Sequence, residues 1–136
     1  MENRPRRTNF RTTDPAALGA PFDLVTVDVS FISVRLLAAN LAGCGRPGTD
    51  YVVLVKPQFE VGREQVGRGG LVTDPSRWAG AIDGVAKGLA AAGIGPIGVC
   101  PSPIPGATGN REFFLHGRHG AGPAVDQSSI QAVVSP

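Results

Sequence analysis

Apolar residues recur along the chain in two patterns, one typical of buried strands and one typical of helices. Residues 23–30 and 51–56 are valine-rich runs, which indicates strands buried on both faces of a parallel sheet. Between them, residues 31–43 carry apolar side chains every three or four positions. This spacing predicts a helix, with Ser30 as its N-cap.

The second half of the chain continues the same alternation. A glycine-rich loop over residues 57–73 leads to Asp74 and Pro75, which predict a helix start, and the helix is expected to end at Gly93. Two shorter apolar runs, residues 96–100 and 111–117, predict a third and a fourth strand.

Strands that alternate with helices predict an α/β fold with three parallel strands. Because only a short turn precedes the fourth strand, that strand is expected to run antiparallel to its neighbour. We expect an irregular basic lead-in over residues 1–21, one domain over residues 22–118 and a disordered tail over residues 119–136.

Composition adds a few limits on function. Hydrophobic residues form 42% of the chain, enough for a core, and a net charge of +2 does not by itself indicate nucleic-acid binding. The first eleven residues hold four arginines, which could meet phosphates or simply form a solvated basic tail. Two distant cysteines and two histidines predict no metal site. The chain lacks an apolar run of about 20 residues, so we expect a cytoplasmic protein that does not enter a membrane.

Three ionisable residues from distant parts of the sequence are expected at one edge of the sheet. Asp28 and Lys56 lie at the carboxyl ends of parallel strands, where α/β folds bind ligands, and Glu112 begins the antiparallel strand at that same edge. Each has a plainer interpretation as a helix cap, a strand-end lysine or a turn residue. Their convergence favours a functional site.

The segments around these residues carry a specific resemblance. They are RTNFR (7–11), DVSFIS (28–33), VKPQFE (55–60), GRGGLVTDP (67–75) and SPIPGATGNREFFLH (102–116). Together they resemble the TlyA family, which is also labelled hemolysin. The family is similar to ribosomal-RNA 2′-O-ribose methyltransferases with an FtsJ-like catalytic domain, and the resemblance covers about residues 7–118.

The resemblance implies a Rossmann-like class I methyltransferase sheet, of which this chain matches the carboxy-terminal half. It implies S-adenosylmethionine as methyl donor and ribosomal RNA or ribosomal subunits as partner, with cytidines as targets. In the family's Lys-Asp-Lys-Glu set, the matching residues are Asp28, Lys56 and Glu112, and the first lysine has no counterpart here. Lys56 would activate the ribose hydroxyl, and the two acids would orient it.

The remaining expected contacts involve the donor and the RNA. Asp28 and Val29 would contact the donor. Arg63 and Arg68, in the glycine-rich loop, and Arg111, beside Glu112, would contact RNA. The plainer interpretation is a flexible loop and a turn with solvated arginines.

The family's amino-terminal RNA-binding domain and donor-binding glycine-rich loop have no counterpart in the sequence, so we expect the chain to be a fragment. Such a fragment would expose its first strand as a sheet edge, which favours self-association, and would bind S-adenosylmethionine weakly. The alternative function is a non-catalytic α/β RNA-binding or interaction module. A membrane-active protein is disfavoured because no amphipathic or spanning segment stands out.

Overall fold

The computed structural model describes residues 14–106 and 109–135. The predicted basic cluster at Arg4, Arg6, Arg7 and Arg11 lies outside the described residues. Among the described residues of the predicted lead-in, Asp14 caps a short 3₁₀ helix, Pro15–Leu18.

Four strands form one mixed sheet: β1 (Leu24–Val27), β2 (Asp50–Val55), β3 (Ile94–Pro101) and β4 (Phe113–His119). Their spatial order is β1-β2-β4-β3, with β1 parallel to β2 and β4 antiparallel to both of its neighbours. Three strands therefore point the same way and one points the opposite way. This arrangement confirms the predicted α/β fold class.

Helix α2 (Pro75–Ala91) covers one face of the sheet. Asp74 caps it, with Ser76 N donating to Asp74 Oδ1 over 2.9 Å, and Pro75 occupies its first turn, as predicted. Alternate residues of β2 and β4 are buried on the covered face of the sheet, and the residues between them are only partly buried, so the expectation that β2 is buried on both faces is wrong. The central core residues are Tyr51, Val53, Val55, Ile82, Val85, Leu89, Phe113 and Leu115.

The helix predicted over residues 31–43 begins later than expected. Ser33, not Ser30, caps a 3₁₀ helix, Val34–Leu37, which continues as the α-helix α1 (Ala38–Gly43). Phe31 has a φ of 67°, which is the left-handed region and is incompatible with an α-helix. The backbone therefore turns at Phe31 before the helical segment starts.

Strand β1 lies at an edge of the sheet and is not buried on both faces. Leu24 is 59% exposed, and among the described residues no strand pairs with the outer side of β1. The expectation of an exposed edge is confirmed for this part of the chain, whereas the expectation of a doubly buried strand is wrong. Self-association through the edge stays a prediction.

The tail predicted to be disordered over residues 119–136 contains a helix, α3 (Gln127–Val134). Asp126 forms a capping box with Ser129, and Ile130 and Val134, one turn apart, are buried against the core. The prediction was wrong because four well-placed residues anchor a segment that is otherwise small and polar.

Candidate active site at the carboxyl edge of the sheet

Sheet register brings the strand ends that carry the predicted residues to one edge. The last paired residues of β2 and β4 are Val55 and Phe113. Lys56 directly follows the first of these and Glu112 directly precedes the second. Asp28 follows β1, which runs parallel to β2, so it lies at the same edge.

Lys56 is ion-paired with Asp28 at this edge. Lys56 Nζ lies 2.6 Å from Asp28 Oδ1 and donates to Ser30 Oγ over 3.0 Å. The Lys56 side chain is 15% exposed and that of Asp28 is 65% exposed. The aliphatic stem of the lysine is therefore largely covered, and two oxygen atoms fix its ammonium at the surface.

Glu112 is a buried carboxylate beside the same pocket. Its Oε2 accepts a long hydrogen bond of 3.4 Å from Gln58 Nε2, and a side chain at Gly106 would overlap it. A cavity of about 350 Å³ connects Glu112 with Lys56. It is lined by Ser30, Phe31, Lys56, Gln58, Phe59, Val66, Gly70 and Glu112. The structure thus brings all three predicted residues to one place, two in direct contact and the third across a shared cavity.

Phe31 is an exposed aromatic ring at the mouth of this cavity. The residue is 90% exposed, and its ring centroid lies 5.1 Å from that of Phe59. A bulky residue in the left-handed region costs free energy, and such strain is concentrated at functional sites. The sequence did not indicate that Phe31 is exposed at the cavity, because Phe31 fitted the apolar spacing of the predicted helix.

A buried carboxylate joins two of the sequence motifs. Glu60, the last residue of VKPQFE, accepts hydrogen bonds from Ser33 Oγ over 2.5 Å and from Val34 N over 2.9 Å. Ser33 ends the motif DVSFIS, and Val34 directly follows it. Burial raises the pKa of Glu60 above its ordinary value, against the opposing effect of these hydrogen bonds. Sequence reasoning missed Glu60, because its partners lie 26 and 27 residues away.

The three arginines predicted to contact RNA differ in their surroundings. Arg63 and Arg68 are exposed on residues 62–72 of the glycine-rich loop, a part that we call the glycine loop. The Arg111 guanidinium lies over the Trp78 ring, 5.5 Å from its centroid. Arg111 therefore has a partner within the fold, whereas the two loop arginines point to solvent.

The predicted donor contacts lie in a different groove. Asp28 and Val29 form one end of a surface groove of about 430 Å³ that runs along β1. The rest of its lining is mostly apolar, with Thr26 and Cys44 as the other polar side chains. These residues fit one edge of S-adenosylmethionine, since the Asp28 carboxylate can face a cationic sulfur. They offer no positively charged group for its carboxylate.

A larger cleft lies elsewhere among the described residues, and none of the predicted catalytic residues lines it. It measures about 510 Å³ and lies between the glycine loop and α2. Its two arginines face acids: Arg35 Nε is 3.6 Å from Glu60 Oε1, and Arg77 Nε is 3.9 Å from Asp74 Oδ2. The predicted residues Lys56 and Glu112 therefore line a smaller cavity than this cleft.

Charged residues also meet at the opposite end of the sheet. Asp50 accepts from His116 Nε2 over 2.8 Å and from Arg118 Nε over 3.0 Å. Two hydrogen bonds lower the pKa of Asp50 below its ordinary value, and the bond from His116 has a larger effect than the bond from Arg118. This cluster is partly exposed and lies at the other end of β2 from Lys56, so it provides positions for control variants.

Neither a membrane helix nor a metal cluster is found in the part of the chain that the structure describes. Within residues 14–106 and 109–135, every helix is too short or too polar to cross a bilayer. Over the same residues, His, Cys, Asp and Glu side chains form no group of three that could hold a metal ion.

The fold and the edge site define a Rossmann-like α/β domain with an acid–lysine–acid arrangement at the carboxyl ends of its strands. The chain belongs to the FtsJ-like methyltransferase family, whose model matches residues 4–119. The match includes all three residues of the edge site.

Individual proteins similar to this chain include rRNA methyltransferases, which agrees with its membership of the FtsJ-like methyltransferase family. The chain is 46% identical over 120 residues to the 16S/23S rRNA (cytidine-2′-O)-methyltransferase TlyA of Mycobacterium tuberculosis, covering 85% of this chain and 45% of that protein. It is 43% identical over 134 residues to YqxC of Bacillus subtilis, named as an rRNA methyltransferase, covering 94% and 47%. A solved hemolysin-named structure from Streptococcus thermophilus matches with a TM-score of 0.86 and 35% identity, covering 94% and 47%. The chain spans about half the length of these relatives.

Proposed function

We propose that the chain carries the catalytic carboxyl half of an S-adenosylmethionine-dependent RNA 2′-O-ribose methyltransferase that acts on ribosomal RNA. The observation that carries the proposal is that Lys56 and Glu112 line one open cavity, with Asp28 ion-paired to Lys56 beside it. Membership of the methyltransferase family and the printed name of the M. tuberculosis relative support the reaction type.

Lys56 is the group that activates the ribose hydroxyl. A 2′-hydroxyl is a poor nucleophile until its proton is removed or its oxygen lone pair is oriented, and a positioned side chain can do either. The short contact to Asp28 and the bond to Ser30 fix Lys56 Nζ at the cavity. Asp28 and Glu112 orient the amine and balance its charge.

When bound, S-adenosylmethionine supplies an electrophilic methyl group on a positively charged sulfur. Asp28 and Val29 would hold one edge of it, since the groove along β1 begins beside them. The side chains of this chain would hold the ribose hydroxyl beside that methyl group. Placement of this kind supplies much of the rate in group-transfer enzymes.

Phe31 would hold the target nucleotide. An exposed aromatic ring gives an unstacked base a flat surface, and such stacking is a common way for proteins to bind single-stranded RNA. Phe31 borders the cavity that contains Lys56, so a base on its face would bring the attached ribose toward the amine.

The exposed arginines of the glycine loop would contact RNA phosphates. Arg63 and Arg68 flank Val66, which lines the cavity. Arg111 stays in the proposal as a secondary contact, because it already lies over Trp78. The protein would meet ribosomal RNA in the cytoplasm, and the name of the M. tuberculosis relative supports cytidine as the target nucleotide.

The deciding experiment replaces the matched segment of the M. tuberculosis relative with this chain, giving what we refer to as the grafted enzyme. Ribosomal subunits are incubated with it and with methyl-labelled S-adenosylmethionine, and nucleosides are identified by mass spectrometry. The proposal predicts labelled 2′-O-methylcytidine. A folded grafted enzyme that binds RNA and transfers no methyl group would favour the non-catalytic RNA-binding module.

A further inference from the structure

Asn110 joins two segments that both border the catalytic cavity. Its side chain is 2% exposed, its Oδ1 accepts from Val72 N over 2.9 Å, and its Nδ2 donates to Gly70 O over 2.8 Å. Both ends of one buried amide therefore bind the backbone of the glycine loop. Asn110 itself lies two residues before Glu112.

The part of the loop that Asn110 contacts contains two adjacent glycines and therefore has high backbone freedom. Gly69 and Gly70 have φ values of 72° and 79°, and glycine is the residue with the greatest backbone freedom. Within the loop, Gly67 N donates to Leu71 O over 2.7 Å and Gly70 N donates to Gly67 O over 3.1 Å. The bonds from Asn110 connect this local turn to the rest of the fold.

We propose that Asn110 is a positioning residue that fixes the glycine loop as one wall of the cavity. Gly70 lines the cavity together with Glu112, so the same short segment would set the position of both the loop wall and the carboxylate. The consequence for catalysis rests on the proposed function, whereas the clamp itself can be tested without any substrate.

Trp78 provides a spectroscopic signal for the clamp. Its Nε1 donates to Val72 O over 2.8 Å, while Val72 N donates to Asn110 Oδ1. The chain contains one tryptophan, so its single indole N–H resonance reports the position of Val72. Release of the loop should move or broaden this resonance.

The test compares Asn110→Ala and Asn110→Asp with the unmodified chain. The aspartate keeps an acceptor for Val72 N and loses the donor to Gly70 O. Trypsin cuts after Arg63 and Arg68 when the loop opens, and after Lys87, within α2, only when the fold opens. Loss of two buried hydrogen bonds should increase loop cleavage by roughly 10- to 100-fold, with little change at Lys87.

Two results would overturn the proposal. One is wild-type loop cleavage with an unmoved indole resonance in a folded variant. The other is an equal increase in cleavage at Lys87, which would make Asn110 an ordinary core residue. If Asn110→Ala does not fold, Asn110→Asp decides the question. Since no RNA or methyl donor is present, these results are independent of whether the proposed reaction occurs.

Discussion

Lys56 Nζ lies 2.6 Å from Asp28 Oδ1, which joins residues 28 positions apart in sequence at the ends of two parallel strands. The Lys56 side chain is mostly covered by the protein, and the Asp28 side chain is mostly exposed to solvent. The ion pair is therefore accessible from the solvent side. That asymmetry suits an amine that must meet a substrate oxygen while an acid keeps it in place.

The glycine-loop arginines can be tested by the salt dependence of RNA binding. We predict that Arg63→Ala combined with Arg68→Ala weakens binding of the chain to ribosomal RNA. The slope of log affinity against log salt should flatten by about 0.7–0.9 for each RNA phosphate that the variant no longer neutralises. Fluorescence anisotropy over a range of salt concentrations measures both quantities.

The matched control combines Arg46→Ala with Arg118→Ala at the opposite end of the sheet. Arg46 pairs with Asp23 and Arg118 pairs with Asp50, so this variant removes the same number of positive charges far from the cavity. An equal change in slope for both double variants would assign RNA binding to general charge and remove the loop from the interface.

Tyr51 should make the fold sensitive to high pH. Burial, with a smaller contribution from Cys44, raises the pKa of Tyr51 to about 12, and its hydroxyl donates to Leu41 O over 2.7 Å. Since the folded-state pKa is above the unfolded value of about 10, the stabilising contribution is present below pH 10 and is lost as pH rises toward 12. The chain has one tyrosine, so tyrosinate absorbance follows it directly.

The control for this titration is the chain unfolded in urea, which should titrate near the ordinary tyrosine value. Tyr51→Phe should remove the alkaline absorbance change altogether. A folded chain that titrates at the unfolded value would show that the hydroxyl is open to solvent.

Apolar runs and the connections between them predicted the sheet and the strand ends at its edge, because both can be interpreted locally along the chain. β2 was predicted from its continuous apolar run. The end of that run and the start of the antiparallel strand give the positions of Lys56 and Glu112. The start of the first helical segment was not predictable in this way. It depends on the left-handed Phe31 and on the Glu60 carboxylate, which comes from another motif.

Long-range polar contacts explain most of what the sequence concealed. Asn110 and Gln58 look like ordinary loop residues until their partners at positions 70, 72 and 112 are known. Helix α3 was a different kind of error, because its capping box and its buried pair were present in the sequence and were outweighed by the polar composition around them.

The order of the tail can be tested by stability. Ile130 is 1% exposed in the core cluster, so Ile130→Ala should lower the free energy of unfolding by about 2–5 kcal/mol. Gln131→Ala, at the exposed neighbouring position, is the control and should change it little. Urea unfolding followed by circular dichroism distinguishes the two, and equal small effects would mean that α3 does not pack on the core.

Space beside Glu112 should matter for turnover. A Cβ at position 106 would overlap the Glu112 carboxylate, whose flexible end can move, so Gly106→Ala should displace the acid and leave the protein folded. In the grafted enzyme we expect a lower kcat, close to that of Glu112→Gln, with an unchanged melting temperature. Gly122→Ala, which has open space at its Cβ, is the control. Normal turnover of Gly106→Ala and Glu112→Gln would remove Glu112 from the site.

The two lysines of the chain give the most direct test of the central claim. Lys56 is at the cavity, and Lys87 is 76% exposed on α2, paired with Asp83. In the grafted enzyme, Lys56→Ala should reduce kcat for ribose methylation by roughly 10²- to 10⁴-fold, while Lys87→Ala leaves it unchanged and both variants keep their fold and RNA affinity. Near-normal turnover of Lys56→Ala would contradict the assignment of Lys56 as the activating amine.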